Sequence, residues 1–304
     1  MALPAAPLQH HFQPLAAPSR RERLRAFVVR FYRLSPVGAW SFGAWVLLIL
    51  VAVAAPLIAP YDPNMADYAA VRQAPTAAHW LGTDNLGRDI LSRIVFGTQI
   101  TLMVSLIAVF IGDFLGFVWG IGSGFLGNRF DLFSQRLVDI LMSFPSLILA
   151  LMLLVVLGAG LETVIAAIAV TQIPSATRIT RSVVLSVRES MYVEAARMIG
   201  VTNLGLMVRH VAPQVTAPIL VVVSLHLGGA IFAESALSFL GLGIPPPDAS
   251  WGNMLGGVTA TAFRPPWWLV VFPGLAITFA IMTANLFGDA LRDFLDPKLR
   301  RRID

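Results

Sequence analysis

The stretch TQITLMVSLIAVFIGDFLGFVWGIGSG, residues 98–124, holds a single charged side chain, Asp113, in 27 positions. A helix of that length rises about 40 Å, more than the roughly 30 Å hydrocarbon core of a bilayer. Gly112, Gly116, Gly120 and Gly124 recur in it at every fourth position. They share one slowly drifting stripe, on which a second helix can approach closely. The stretch reads as a packing helix inside a membrane protein.

Composition agrees with that reading. Of the 304 residues, 57% are hydrophobic and 13% charged, and the mean hydropathy is +0.75. A soluble domain carries about a quarter charged residues. Six segments are apolar and long enough to count as spans: 38–60, 98–124, 137–160, 163–177, 213–240 and 267–288. The fourth is short and contains Gln172 and Pro174, but without it the basic loops on either side would fall on opposite faces of the membrane. These are continuous apolar runs and not the alternating ten-residue strands of a barrel. The expected fold is all-α, a polytopic membrane protein with six transmembrane helices.

The basic residues orient it. With the N-terminus inside, the inner segments carry six, two, five and five Arg or Lys, eighteen together, against Arg72, Arg88, Arg93 and Arg264 outside. Such a split follows the positive-inside rule and puts both termini in the cytoplasm. A cysteine label applied from outside is expected to react at Ser250 and not at Ser190.

The same distribution removes nucleic acid from the list of partners, although the formal net charge is +5. The arginines flank spans, where orientation and anionic lipid account for them. The basic, Pro- and Ala-rich leader fits an uncleaved first helix better than a secretory signal, which has a shorter apolar core and a cleavage site. With no cysteine there is no disulfide or thiolate metal site. The only lysine, Lys298, has no Gly-rich run before it, so a phosphate-cradling nucleotide loop is missing. The five histidines form no ligand pattern, no metal site is expected, and nothing points to an enzyme.

Polar groups within the spans need a reason. Asp113 lies beside the glycine stripe and Glu234 lies in the fifth segment, where an ionised carboxylate costs a few kcal/mol unless it faces protein or water. With Ser224 they are candidates for a wet translocation path; a protonated or hydrogen-bonded structural carboxyl is the alternative for each. His226 falls two turns from Glu234 on a similar face and reads as a packing residue.

Between two apolar segments lies EAARMIGVTNLGLMVRHVAP, residues 194–213. Met191, Ala195, Met198 and Ile199 follow i, i+4, i+7, i+8 spacing, an apolar stripe along a short helix. Gly200 can end it in a left-handed conformation, and Ala195 and Ala196 keep one side thin. Periodicity leaves open whether the stripe meets a partner or its own bundle.

Glu194-Ala195-Ala196, three residues, Gly200, and the ending Val211-Ala212-Pro213 resemble the EAA signature of permease subunits in bacterial ABC importers, with Val and Ala in place of the usual Ile and Leu. LGTDNLGRDILSRIVFGTQITL (81–102), ESALSFLGLGIPPPDASWGNML (234–255) and NLFGDALRDFLDPKL (285–299) resemble the dipeptide and oligopeptide C-type permeases of the peptide and nickel importer family. The similarity runs over about residues 30–300.

This resemblance implies a type I importer permease fold. Residues 1–37 would be a cytoplasmic segment, 38–60 a first helix packed around a partner permease, and 61–97 a periplasmic loop. Residues 98–290 would be the core with a cytoplasmic coupling loop at 181–212, and 291–304 the cytoplasmic tail. It implies that Glu194, Ala195, Ala196, Met198, Ile199 and Gly200 form a coupling helix docking in a groove of an ATPase. The implied partners are a second, homologous permease subunit, two ABC ATPase subunits that bind ATP and Mg, and a periplasmic or lipid-anchored substrate-binding protein, all at the bacterial inner membrane. No cofactor is expected in this chain. The implied cargo is di- or oligopeptide, with nickel chelates, opines or glutathione-like peptides as alternatives. A secondary transporter using Asp113 and Glu234 is the rival class, but no internal repeat supports it.

Overall fold

A computed structural model describes residues 35–259 and 264–295. The leader, the whole N-terminal basic cluster and the end of the tail lie outside these residues. Among the described residues the chain is helical, with one isolated bridge between Thr83 and Asp89.

Helix α1, Pro36–Ile58, starts where the Ser35 side chain accepts the Gly38 N–H, with Pro36 at its first position. Trp45, Leu48 and Ala52 face inward onto Leu102, Ile231, Ala280 and Ala284. Trp40, Leu47, Leu50, Val53 and Leu57 are exposed on its other sides, as suits a helix whose solvent is lipid. An irregular outer segment follows and is tied down by its polar groups. Tyr61 N–H donates to Ser92 Oγ, Arg93 donates to the Pro63 carbonyl, and Thr83 donates to the Ala70 carbonyl.

Helix α2, Ile90–Leu126, is capped by Asp89, which accepts the Ser92 N–H. Its 37 residues span about 55 Å, so it projects beyond the hydrocarbon core. Helix α5, Leu161–Val187, lies along it. Gly112 faces Ala169, Gly116 faces Ile173 and Ala176, Gly120 faces Thr177 and Thr180, and Gly124 faces Arg181 and Val184. A methyl at Gly120 would lie 2.6 Å from Thr180 Cβ and 2.7 Å from the Thr177 carbonyl oxygen, so only hydrogen fits. In lipid, where apolar burial between helices gives little drive, such close backbone approach is what joins helices.

The segment expected as one span at 137–160 is instead two helices, α3 (Asn128–Met142) and α4 (Ser146–Leu157), bent by 89°. Pro145 explains the break: it lacks an N–H and keeps Phe144 out of the helical region. Helix α3 is amphipathic. Asp131 and Asp139, two turns apart, pair with Arg181 and Arg178 of α5, while Phe130, Phe133 and Ile140 are exposed.

Four described helices are long and apolar enough to cross a bilayer: α1, α2, the run 203–239, and α10 (Trp267–Leu295); the bent pair makes five. The expected span 163–177 lies inside α5, which is long enough but polar towards its C-terminal end. Within 203–239, a short helix α7 (Asn203–Leu206) and a π turn, Met207–Val211, lead into α8, Ala212–Phe239. Helix α6 is Met191–Met198 and α9 is Trp251–Thr259. Ser250 and Asn253 cap α9 reciprocally through their backbone N–H groups, and Ser250 is fully buried. It is therefore a poor site for the outside label; the exposed Asp248 next to it serves.

Replacing Gly116 or Gly120 by Leu should lower stability by about 1–3 kcal/mol, the usual cost of overpacking a close contact. Gly229, which has open space at its Cβ position, should accept Ala without loss. Thermal unfolding of the detergent-purified protein checks this. Equal melting temperatures for Gly120→Leu and Gly229→Ala would contradict the packing.

Candidate functional site

One end of the bundle is built on the C-terminal ends of α2 and α5. Arg181 makes a double hydrogen bond to Asp131, with both contacts at 2.6 Å, and Ser123 of α2 donates to the same carboxylate. Arg188 donates to the Gly124 carbonyl at 2.8 Å. Just beyond this clamp the chain turns into α6. Val193 and Ala196 are its buried positions, packed with Ile121, Phe125, Val184, Leu206, Val211 and Val215.

The stripe seen in the sequence is the opposite side of α6. Met191 is 87% exposed, Met198 84% and Ile199 83%, and Glu194 and Ala195 are also exposed. The helix thus presents apolar side chains outward while its own bundle takes Val193 and Ala196. It ends in a Schellman motif: Gly200 N–H donates to Arg197 O and Val201 N–H to Ala196 O. Gly200 has φ of +87°, a conformation that a side chain at this position would strain.

The three polar residues picked from the spans are not together. Glu234 is fully buried. It accepts from Thr101 of α2 at 3.0 Å and from Ser238 at 2.8 Å, and Ser238 Oγ also accepts the Ile244 N–H. Trp251 donates to the Ile94 carbonyl at 3.0 Å, holding α9 on α2 close to this cluster. These bonds join α8 and α9 to the N-terminal half of α2. Ser224 donates to the Leu220 carbonyl of its own helix and lies against Gly288 of α10. Asp113, about 18 Å along α2 from Thr101, is paired with His226 of α8 at 2.7 Å, and the other ring nitrogen of His226 is 3.2 Å from Ser175 Oγ of α5.

His226 is therefore the functional candidate that the sequence reading set aside. It pairs with Asp113, not with Glu234. The signal available was chemical: an intramembrane carboxylate needs a partner, and His226 was the titratable residue of the fifth segment still unassigned. Among the described residues no group of three or more His, Asp or Glu is placed to hold a metal.

Comparison with known proteins gives this geometry a family. Residues 116–301 match the family described as binding-protein-dependent transport system inner membrane component. Residues 28–75 match the N-terminal TM domain of oligopeptide transport permease C. A protein of Brucella suis biovar 1 named as a peptide transport system permease is 39% identical over 264 residues, 86% of this chain and 88% of that one. The glutathione transport system permease protein GsiD of Escherichia coli O1:K1 / APEC is 41% identical over 256 residues, 84% of each chain. A crystal structure of an amino acid ABC transporter with histidines superposes with a TM-score of 0.45 at 18% identity, covering 69% of this chain and 94% of that one; so distant a likeness carries no argument. With an all-helical, multi-pass architecture and close relatives along most of its length, the chain belongs to the binding-protein-dependent permeases of ABC transporters, membrane components that are not enzymes and that work in complexes with ATPase and binding-protein partners.

Proposed function

We propose that this chain is one of two homologous permease subunits of a bacterial inner-membrane importer for di- or oligopeptides, driven by two ATPase subunits and supplied by an external binding protein. The observation that carries the reading is α6. A short cytoplasmic helix is fixed to its bundle by Val193 and Ala196 and turns Met191, Met198 and Ile199 outward. An apolar helix face fits a groove of a partner, and the ATPase is the partner that must be moved. In this reading Glu194, Ala195, Ala196, Met198, Ile199 and Gly200 are the joint. ATP and Mg are bound by the ATPases, whose closure draws the joints together and shifts the bundle between inward and outward access.

The proposed topology has six spans, with the bent α3–α4 pair as the third, α5 as the fourth and both termini cytoplasmic. Asp113 borders the path. Glu234, enclosed by Thr101 and Ser238, and Ser224, bonded to its own helix, act on the path by holding α8 against α2 and α10. Peptides are favoured as cargo by the Brucella relative, and glutathione, itself a peptide, by the Escherichia coli relative. Nickel chelates have weaker support, since among the described residues no group of imidazoles or carboxylates is clustered to hold a metal.

Three results are expected. A membrane-impermeant thiol reagent added outside whole cells should modify Asp248→Cys and leave Glu189→Cys unmodified; the reverse pattern would overturn the topology. Deleting the subunit should abolish uptake of peptides, and Gly200→Leu should assemble yet hydrolyse ATP without matching uptake. Normal peptide uptake after deletion, with another solute lost, would overturn the cargo. Normal coupling in Gly200→Leu would overturn the joint.

A further inference from the structure

The two intramembrane carboxylates are not equally satisfied. Both oxygens of Glu234 accept hydroxyl hydrogen bonds. Asp113 is 2% exposed, and its Oδ1 is held by His226, but its Oδ2 is buried without a hydrogen-bond partner among the described residues. A buried acceptor without a donor is costly, and such groups in native structures call for an explanation such as an unseen ligand.

Asp113 also borders a groove of about 440 Å³ between α2 and α8, shared with Phe110, Phe114, Phe117, Thr216 and Leu220. Hydrocarbon packed against this groove supplies no donor to a carboxylate at its wall. What belongs there carries N–H or O–H groups. The rest of the groove narrows the choice. Phe110 and Phe114 stack with ring centroids 6.0 Å apart, and aromatic faces attract cations. His226, bonded also to Ser175, occupies Oδ1, so Oδ2 is the carboxylate oxygen without a partner.

We propose that this groove is a transient binding site for a cationic amine, and that its occupant is the terminal ammonium of a peptide in transit. Asp113 Oδ2 accepts from the ammonium, the phenylalanine faces hold the adjoining apolar part, and His226 and Ser175 are positioning residues. The proposal rests on the reading of the chain as a peptide permease with the α2–α8 face on the path. A weak single contact of this sort suits a carrier that must release its cargo.

Because the chain has no native cysteine, Leu220→Cys gives it one thiol at the groove. In the complete importer in proteoliposomes, the rates of modification by a cationic trimethylammonium-ethyl methanethiosulfonate and by its anionic sulfonate counterpart are compared, with and without Asp113→Asn. The cationic-to-anionic ratio should fall about tenfold when Asp113 is neutralised, the effect of one near charge in a partly desolvated site. In the Leu220→Cys protein with Asp113 intact, a free dipeptide delivered by the binding protein should slow the cationic reagent, and the same dipeptide N-acetylated should not. This second measurement needs no change at Asp113 and so survives a misfolded Asp113→Asn. An unchanged ratio, equal protection by both dipeptides, or reaction only with a lipid-soluble maleimide would overturn the site. Peptide uptake by the same vesicles is read separately. Its absence would refute the transport reading, whereas uptake with an unchanged ratio refutes the ammonium site alone.

Discussion

Everything in this fold hangs on the contact between the glycine stripe of α2 and the small-residue face of α5. Four successive turns of α2 have no side chain on that face, and Ala169, Ala176, Thr180 and Val184 fill the space. Membrane helices gain little from apolar burial against each other, so dispersion over closely approaching backbones carries the association. The contact decides more than itself. It places Arg178, Arg181 and Arg188 where they bind α3 and the end of α2. It brings Val184 beneath α6, and it carries Ser175 to His226. The α2–α5 pair thus links the intramembrane polar contacts to helix α6.

Polar bonds then attach α8 and α9 to that pair. Glu234 and Trp251 fasten α8 and α9 at the N-terminal half of α2, and the Asp113–His226 pair fastens α8 further along it. Each joins α8 to α2 at a different depth, one with every acceptor filled and one with an oxygen left over. A complete network rigidifies, whereas an incomplete one is where a ligand has most to gain. The difference between the two carboxylates therefore separates a fastening from a contact point.

Much of this was legible in the sequence. Long apolar runs mark α1, α2, α8 and α10, and a four-residue glycine period marks the face of α2. The direction of the α6 stripe was not legible, because it depends on Val193 and Ala196 meeting Leu206 and Val211, and spacing within one helix cannot say which face its own chain will cover. The bend at Pro145 was missed because proline is tolerated in many membrane helices, α5 and α8 here among them. Residues 163–177 looked short because hydropathy falls where Arg178 and Arg181 enter, although the helix itself continues to Val187. His226 reads as a packing residue from helical phase on its own segment, whereas its partner, Asp113, is set by the approach of another helix.

The central claim is that the outward face of α6 is where force enters the protein. A photoactivatable cross-linker attached at Met198→Cys in the assembled importer tests it most directly. The account predicts an adduct between this chain and the ATPase subunit, lost when an exposed residue away from α6, such as Ser182, carries the probe instead. Adducts confined to lipid or to the chain itself, with none to the ATPase, would contradict it.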